Sequence, residues 1–350
     1  MQAQRGFTLL ELIVALAMSA IIVVAAMATF EMQNNTYTVV DQTTEVQQNM
    51  RAIADLIERD ARSTAMGLPE EVAACGVDSQ NGPDTIFVTD SNAIQPFDGA
   101  GNLAENQPVF AELTNPGGVV TNNAGQVVGL DRIVLEQNIV PPPAAYVNAD
   151  FQVGGGVIVA NTDQPSQGSA CGIITAVNVG PPASVTVDFL NPNPLPWVAG
   201  EQLVAAPAHV YQIVIDANGV SVLQRNGTPL ASDVEDLQAV WFFDNNLDGI
   251  RDPGEMFGAA APEPAFQSVG AVGLGDYRRL REMRINVVVR TRDNAPGSPD
   301  GAFIQAGMQA MENRVFVAVP NDGFLRRVHT TTVRLRNVGF RGRMGKKVGV

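Results

Sequence analysis

Positive charge is scarce in this chain: 22 Lys and Arg stand against 36 Asp and Glu, a net charge of −14. That balance excludes nucleic acid as a partner, because binding phosphate backbones requires a basic face. Cysteine and histidine are scarcer still, with two of each. Cys75 and Cys171 fit no zinc-ligand spacing. His209 and His329 fall in apolar or strand-like settings, where a structural histidine is expected. A nucleophile elbow, a P-loop and a dinucleotide fingerprint are all missing. Gly154-Gly155-Gly156 precedes a strand pattern rather than a helix, so it reads as a turn and not as a phosphate cradle. No internal repeat is present. The chain is therefore not expected to be an enzyme.

What is present begins at the N-terminus. A short polar leader ends in Arg5-Gly6, Phe7-Thr8-Leu9-Leu10-Glu11 follows, and an apolar run extends from Leu12 to Phe30. As a helix, residues 7–30 span about 36 Å, enough to cross a bilayer. The run holds no Pro and no Gly, and the hydroxyls of Ser19 and Thr29 can return to the helix backbone. Arg5 on the N-terminal side favours a cytoplasmic N-terminus and an exported remainder. Glu11 stands at the edge of the run. A carboxylate within a membrane helix costs roughly 2.5–3.5 kcal/mol on insertion scales, so the acid needs a use. An ordinary secretory signal, with Ala26-Met27-Ala28 as its small-x-small cleavage site, has no use for it, and neither has a plain signal anchor.

Gly6 followed by Phe7-Thr8-Leu9-Leu10-Glu11 closely resembles the leader of type IV prepilins and pseudopilins. The resemblance implies cleavage after Gly6 by a prepilin peptidase on the cytoplasmic side. It also implies N-methylation of Phe7 and retention of the apolar segment in the mature protein. It gives Glu11 a role in assembly, facing the N-terminal ammonium of a neighbouring subunit. A desolvated opposite charge offsets much of the burial cost of an acid. A Glu11 that snorkels alone to the headgroups is the plainer alternative.

Beyond the membrane run the helix is expected to continue. Val39, Val46, Met50, Ile53 and Ile57 draw one apolar stripe, with Gln47, Gln48, Arg51, Glu58 and Arg59 on other faces. Gly67-Leu68-Pro69 is the expected stop. The division is a leader over 1–6, a membrane or filament-core helix over 7–30, an amphipathic continuation over 31–66 and an exported β-rich head over 67–350. Candidate strands lie at 85–89, 132–135, 156–160, 172–177, 184–189, 210–215, 220–224, 239–243, 283–291, 314–319 and 328–336. Asp216-Ala217-Asn218-Gly219 reads as a hairpin turn. The Gly-, Asn- and Pro-rich stretches 90–130 and 191–200 read as surface loops. The expected fold is α+β and type IV pilin-like, a long N-terminal helix packed on an antiparallel β-rich head.

Softer patterns extend the resemblance. Pro229 to Gln238, Asp244 to Gly249, and Arg326-Arg327-Val328-His329-Thr330-Thr331-Thr332 through Asn337 resemble segments of PilW-like minor pilins. So does Ile57-Glu58-Arg59-Asp60-Ala61-Arg62 at the helix end. The family implies assembly with a major pilin and other minor pilins, from the inner membrane into a pilus. A minor pseudopilin of a type II secretion system is the alternative within the class. A membrane-anchored calcium-dependent adhesin that never polymerises is the alternative outside it.

One constellation carries chemistry. Asp244 to Glu255 fits the twelve-residue calcium loop D-x-[DN]-x-[DN]-G-x₅-E. Asp244, Asn246 and Asp248 supply alternate side chains, Gly249 the sharp turn and Ile250 a carbonyl. Asp252 binds directly or through water, and Glu255 closes the site with both oxygens. Four carboxylates and oxygen-only ligands favour Ca²⁺ over zinc or copper, as a structural clamp. Arg251 stands where such loops usually carry an apolar residue, and Pro253 denies the site an exiting helix, so a β scaffold is expected. An acidic turn without metal is the alternative.

Four further features stay structural. Cys75 and Cys171 in an exported chain form either a disulfide or two buried thiols. The cluster of Arg326, Arg327, Arg334, Arg336, Arg341, Arg343, Lys346 and Lys347 reads as the solvated face of a last strand and a frayed end. Contact with phospholipid or an acidic partner is its alternative. Asp276-Tyr277-Arg278-Arg279 reads as solvated surface, and Trp241-Phe242-Phe243 as core.

Overall fold

A computed structural model describes residues 8–65, 68–79, 81–90, 109–113, 133–136, 151–161, 168–178, 184–190, 202–252, 254–257, 279–293, 312, 314, 324–335 and 338. Statements of absence below concern these residues. Helix α1 runs from Leu9 to Ser63 without interruption. Its 55 residues make a rod of about 82 Å. No Pro or Gly breaks it. Thr8 caps its start, and the Thr8 and Glu11 side chains bond each other's backbone N–H groups in a capping box. Along the lower half, Thr29 donates to the carbonyl of Ala25 at 2.9 Å, and Ser19 does the same to Ala15.

The helix ends earlier than the Gly67-Leu68-Pro69 signal predicts. Thr64 leaves the helix with ψ 148° and Ala65 takes φ 57°. Tertiary bonds decide this end. The Thr64 hydroxyl donates to the Ala73 carbonyl and accepts from the Thr89 N–H at 3.2 Å.

The upper half of α1 packs on the head. The stripe read from sequence is buried from Val46 onward, with Met50, Ile53, Ile57 and Ala61, while Val39 is half-buried. Each such fully buried Val or Ile stabilises the head by roughly 1.5–3 kcal/mol. No residue of the apolar stretch 9–30 is buried.

The strands are β1 (Ala74–Val77), β2 (Thr85–Thr89), β3 (Val109–Leu113), β4 (Ile133–Glu136), β5 (Gly156–Ala160), β6 (Ser169–Asn178) and β7 (Ser184–Phe189). They continue with β8 (Gln202–Ile215), β9 (Ser221–Arg225), β10 (Thr228–Ser232), β11 (Val234–Phe243), β12 (Met256–Phe257), β13 (Leu280–Arg290) and β14 (Arg326–Arg334). All pairings are antiparallel. One sheet follows the order β1-β2-β8-β3-β4-β7-β6-β5, and β5 pairs again with β8, so β8, β3, β4, β7, β6 and β5 close a ring. The far half of β8 carries β2 on one edge and β9, with β10, on the other. The second sheet has the order β12-β11-β13-β14.

The stretch 90–130 is not all loop, because β3 lies within it and pairs with β8. β1, β10 and β12 also escape the hydrophobic pattern, being short or, for β10, exposed. β8 and β11 extend further toward the N-terminus than 210–215 and 239–243. Of the strand expected at 314–319, only Arg314 is described, and 191–200 lies outside the described residues. The turn at 216–219 forms as expected. Gly219 takes φ +79°, and Asp216 Oδ1 accepts from the N–H groups of Asn218 and Val220.

Two cores are seen among the described residues of the head. In the first, the α1 stripe meets the inner faces of β11, β13 and β14 through Leu237, Trp241, Met283, Ile285 and Val333. Trp241 and Phe243 are both 1% exposed, so this aromatic cluster is core. The second core lies where β1 and β2 meet the ring, and there Cys75 on β1 is joined to Cys171 on β6 by a disulfide. Asp84 ties the β1–β2 turn to the second sheet. Its carboxylate accepts from the Ser79 N–H at 2.9 Å and the Ala239 N–H at 2.8 Å. Burial outweighs these two bonds and pushes its pKa up to about 8.

Candidate functional site

Gly6 and Phe7 lie outside the described residues, but the segment they open is in view. Thr8 donates to Glu11 Oε2 from its N–H at 2.9 Å and from its hydroxyl at 3.0 Å, and Glu11 N–H returns a bond to the Thr8 hydroxyl at 3.2 Å. The acid thus caps its own helix, where a negative charge also meets the positive end of the helix dipole. From there the apolar rod is bare. Leu10, Ile22 and Phe30 are 71%, 67% and 71% exposed. The helix is long and apolar enough to cross a membrane.

At the other end of the rod a second acid is buried. Asp60 Oδ2 accepts from the Tyr211 hydroxyl at 2.5 Å and from Arg225 at 2.6 Å. His209 Nε2 stands 3.9 Å from the same oxygen and 3.1 Å from Asp90. Burial and the Asp60 charge push the Tyr211 phenol well above its ordinary pKa, so it stays a donor. His209 belongs to a polar joint between α1, β8 and β9. Asp60 falls three residues after Ile57, on the apolar stripe itself. That misplaced acid was the readable signal for the joint.

The loop 244–255 bridges β11 and β12. Its stem is closed by antiparallel pairs Trp241↔Phe257 and Phe242↔Met256. The Phe243 and Phe257 rings meet edge to face beneath it, 5.3 Å apart. The scaffold on both sides is therefore β, as expected. Gly249 takes φ +77°, which an L side chain rarely adopts. Asn246 Nδ2 donates to Asp248 Oδ2 at 3.1 Å and to Asp252 Oδ2 at 2.9 Å, so two acids converge on one donor. Glu255 is 6% exposed and folds back over the loop, accepting from the N–H groups of Asn245 at 2.8 Å and Asp252 at 3.3 Å. Ile250 N–H bonds Asp248 Oδ1 at 2.7 Å.

Asp244 is 4% exposed, and its Oδ1 has no hydrogen-bond partner. A buried orphan acceptor at the first position of such a loop fits a cation, as does the all-oxygen donor set. In the described geometry the acids surround N–H donors, and no three His, Cys, Asp or Glu side chains among the described residues form a group that could hold a metal ion.

Arginines position this loop. Arg251 pairs with Glu282 on β13, Nε to Oε2 at 2.9 Å, which explains a charged residue where an apolar one is usual. Arg279 is not solvated surface. Its side chain donates to the Asn245 carbonyl, and its own carbonyl accepts from Asp244 N–H at 2.9 Å. Arg281 Nε lies 3.4 Å from Asp244 Oδ2. Their pairing with the loop crosses more than thirty positions of sequence, and no local pattern announces it.

Residues 1–27 match the prokaryotic N-terminal methylation motif. Residues 210–337, from β8 through β14 and including the loop, match the type IV pilus-assembly protein W family. No protein of curated function matches the chain. Among solved structures, a type IV-like pilin from Thermus thermophilus is similar at 12% identity, over 55% of this chain and 91% of that one, with a TM-score of 0.24. The chain thus carries a match to the methylation motif at the start of its long helix and a match to the PilW family in the sheet that the same helix packs on.

Proposed function

We propose that this pilin-like chain is a minor pilin, made as an inner-membrane prepilin with its head in the periplasm. It is cut after Gly6 by a prepilin peptidase, N-methylated on Phe7, and built with the major pilin and other minor pilins into the priming and tip complex of a type IV pilus. The observation that carries this reading is the bare lower half of α1, which begins within the methylation motif and is continuous with the helix buried in the head. Such a rod can pass from bilayer to filament core without refolding, because both surroundings are apolar. Glu11 then exchanges its bond from Thr8 for the ammonium of a neighbour.

Mass spectrometry of the mature N-terminus tests processing. A methylated Phe7 start, lost in Gly6→Ala, is expected, and any other start overturns the reading. Glu11→Ala is expected to stay in the membrane and to be missing from sheared filaments. Normal incorporation of that variant would remove Glu11 from assembly. The PilW match favours a pilus over a secretion pseudopilus. Deleting the chain is accordingly expected to abolish pili and spare type II secretion.

Within the head, Ca²⁺ bound by Asp244, Asn246, Asp248, the Ile250 carbonyl, Asp252 and Glu255 serves as a structural clamp. The orphaned Asp244 Oδ1 supports this assignment. Calcium is expected to raise the melting temperature relative to chelator, with the shift abolished in Asp248→Ala. An unchanged melt sinks the clamp.

A further inference from the structure

We propose that Arg281 is a charge brake on the cation loop, lowering its affinity for a divalent ion by holding a fixed positive charge against the first ligand, Asp244. The inference rests on the reading of 244–255 as a calcium loop. In the pairing of β11 with β13, Phe242 faces Glu282 and Phe243 faces Leu280, so Arg281 is the extra residue of a β-bulge. A bulge re-aims the side chain it carries. Here the Arg281 guanidinium lies 3.4 Å from Asp244 Oδ2, between side chains only 19% and 5% exposed. The second carboxylate oxygen, Oδ1, is left as a single ligand atom.

The Asn246 donor within the loop behaves differently. Asn246 can turn its amide and offer an oxygen to an incoming ion, whereas a guanidinium has no acceptor and does not lose its proton. Its charge therefore opposes a cation at Asp244 whenever one binds. Screening is weak at that burial, so the opposition persists in salt. Arg251 provides the contrast, because it pairs with Glu282 outside the ligand set and its side chain is 47% exposed.

The test is a calcium titration, by calorimetry, of the full chain in detergent micelles. Arg281→Met is expected to bind calcium about tenfold more tightly than wild type, in line with tuning of such loops by local charge. Arg251→Met is expected to change affinity by less than about twofold. Equal tightening in both variants, or weaker binding in Arg281→Met, overturns the brake. No saturable binding in wild type or either variant overturns the calcium reading instead. Should Arg281→Met fail to fold, the wild-type Arg281 Nε resonance decides. It is expected to shift as calcium saturates, and an unmoved signal during saturation overturns the proposal.

Discussion

Glu11 and Asp60 lie near opposite ends of one helix, and their surroundings differ as much as their positions. Glu11 is exposed and bonded only to its own helix start. Asp60 is 6% exposed and bonded to two strands of the head. The same division holds for the apolar side chains, bare from Leu9 to Phe30 and buried along the stripe of Val46, Met50, Ile53, Ile57 and Ala61. The difference teaches that helix and head are not separate modules. The upper half is a structural layer of the head, while the lower half contributes nothing to head packing and is free to serve another environment.

The sharpest break between the halves is expected from the cross-link that only the head contains. Cys75 and Cys171 are 96 residues apart, and a closure of that length contributes about 4–5 kcal/mol in the chain-entropy model. The double serine variant is expected to lose that much in denaturant melts, with the micellar helix signal intact. A second contrast pairs two isoleucines. Ile57→Ala, at a fully buried site, is expected to destabilise the head by about 4 kcal/mol. Ile22→Ala is expected to change it by less than about 0.5 kcal/mol. Equal effects would erase the distinction.

The two acids give a third contrast. Asp60→Ala strips Tyr211 and Arg225 of their acceptor and is expected to cost about 3 kcal/mol of head stability by chemical denaturation. Glu11→Ala is expected to leave the same curve unmoved.

The last contrast is a pH slope confined to the head. Asp84 is raised to about 8 in the fold from an ordinary 3.8, so the folded head keeps a proton that the unfolded chain releases. Its contribution is greatest at low pH and falls as pH rises toward 8. Wild type is expected to lose melting temperature relative to Asp84→Asn between about pH 5 and 8. A difference that does not vary with pH would contradict the shift.

Much of this arrangement was legible in the residues. The change from all-round apolar to striped at Val39–Ile57 marks the two halves of α1, and strong β-rich runs located 85–89, 156–160 and 184–189 to the residue. What escaped depends on partners distant in sequence. The helix end is set by Thr64 meeting Ala73 and Thr89, against a local Gly signal further on. β3 and β10 lack a clean pattern and are fixed by pairing with β8 and β9. In the loop 244–255, the spacing of Asp244, Asn246, Asp248 and Glu255 was visible at once. The arginines around it were not, because a bulge in β13 and the fold of the second sheet bring them there.

The unbroken run of α1 has a consequence for where the head points. With no proline or glycine between Leu9 and Ser63, the azimuth of the head about the rod is locked to the phase of the apolar segment. Each residue inserted near position 35 would turn the head by about 100° and lift it by about 1.5 Å. Seven would restore its bearing to within about 20° while raising it by about 10 Å.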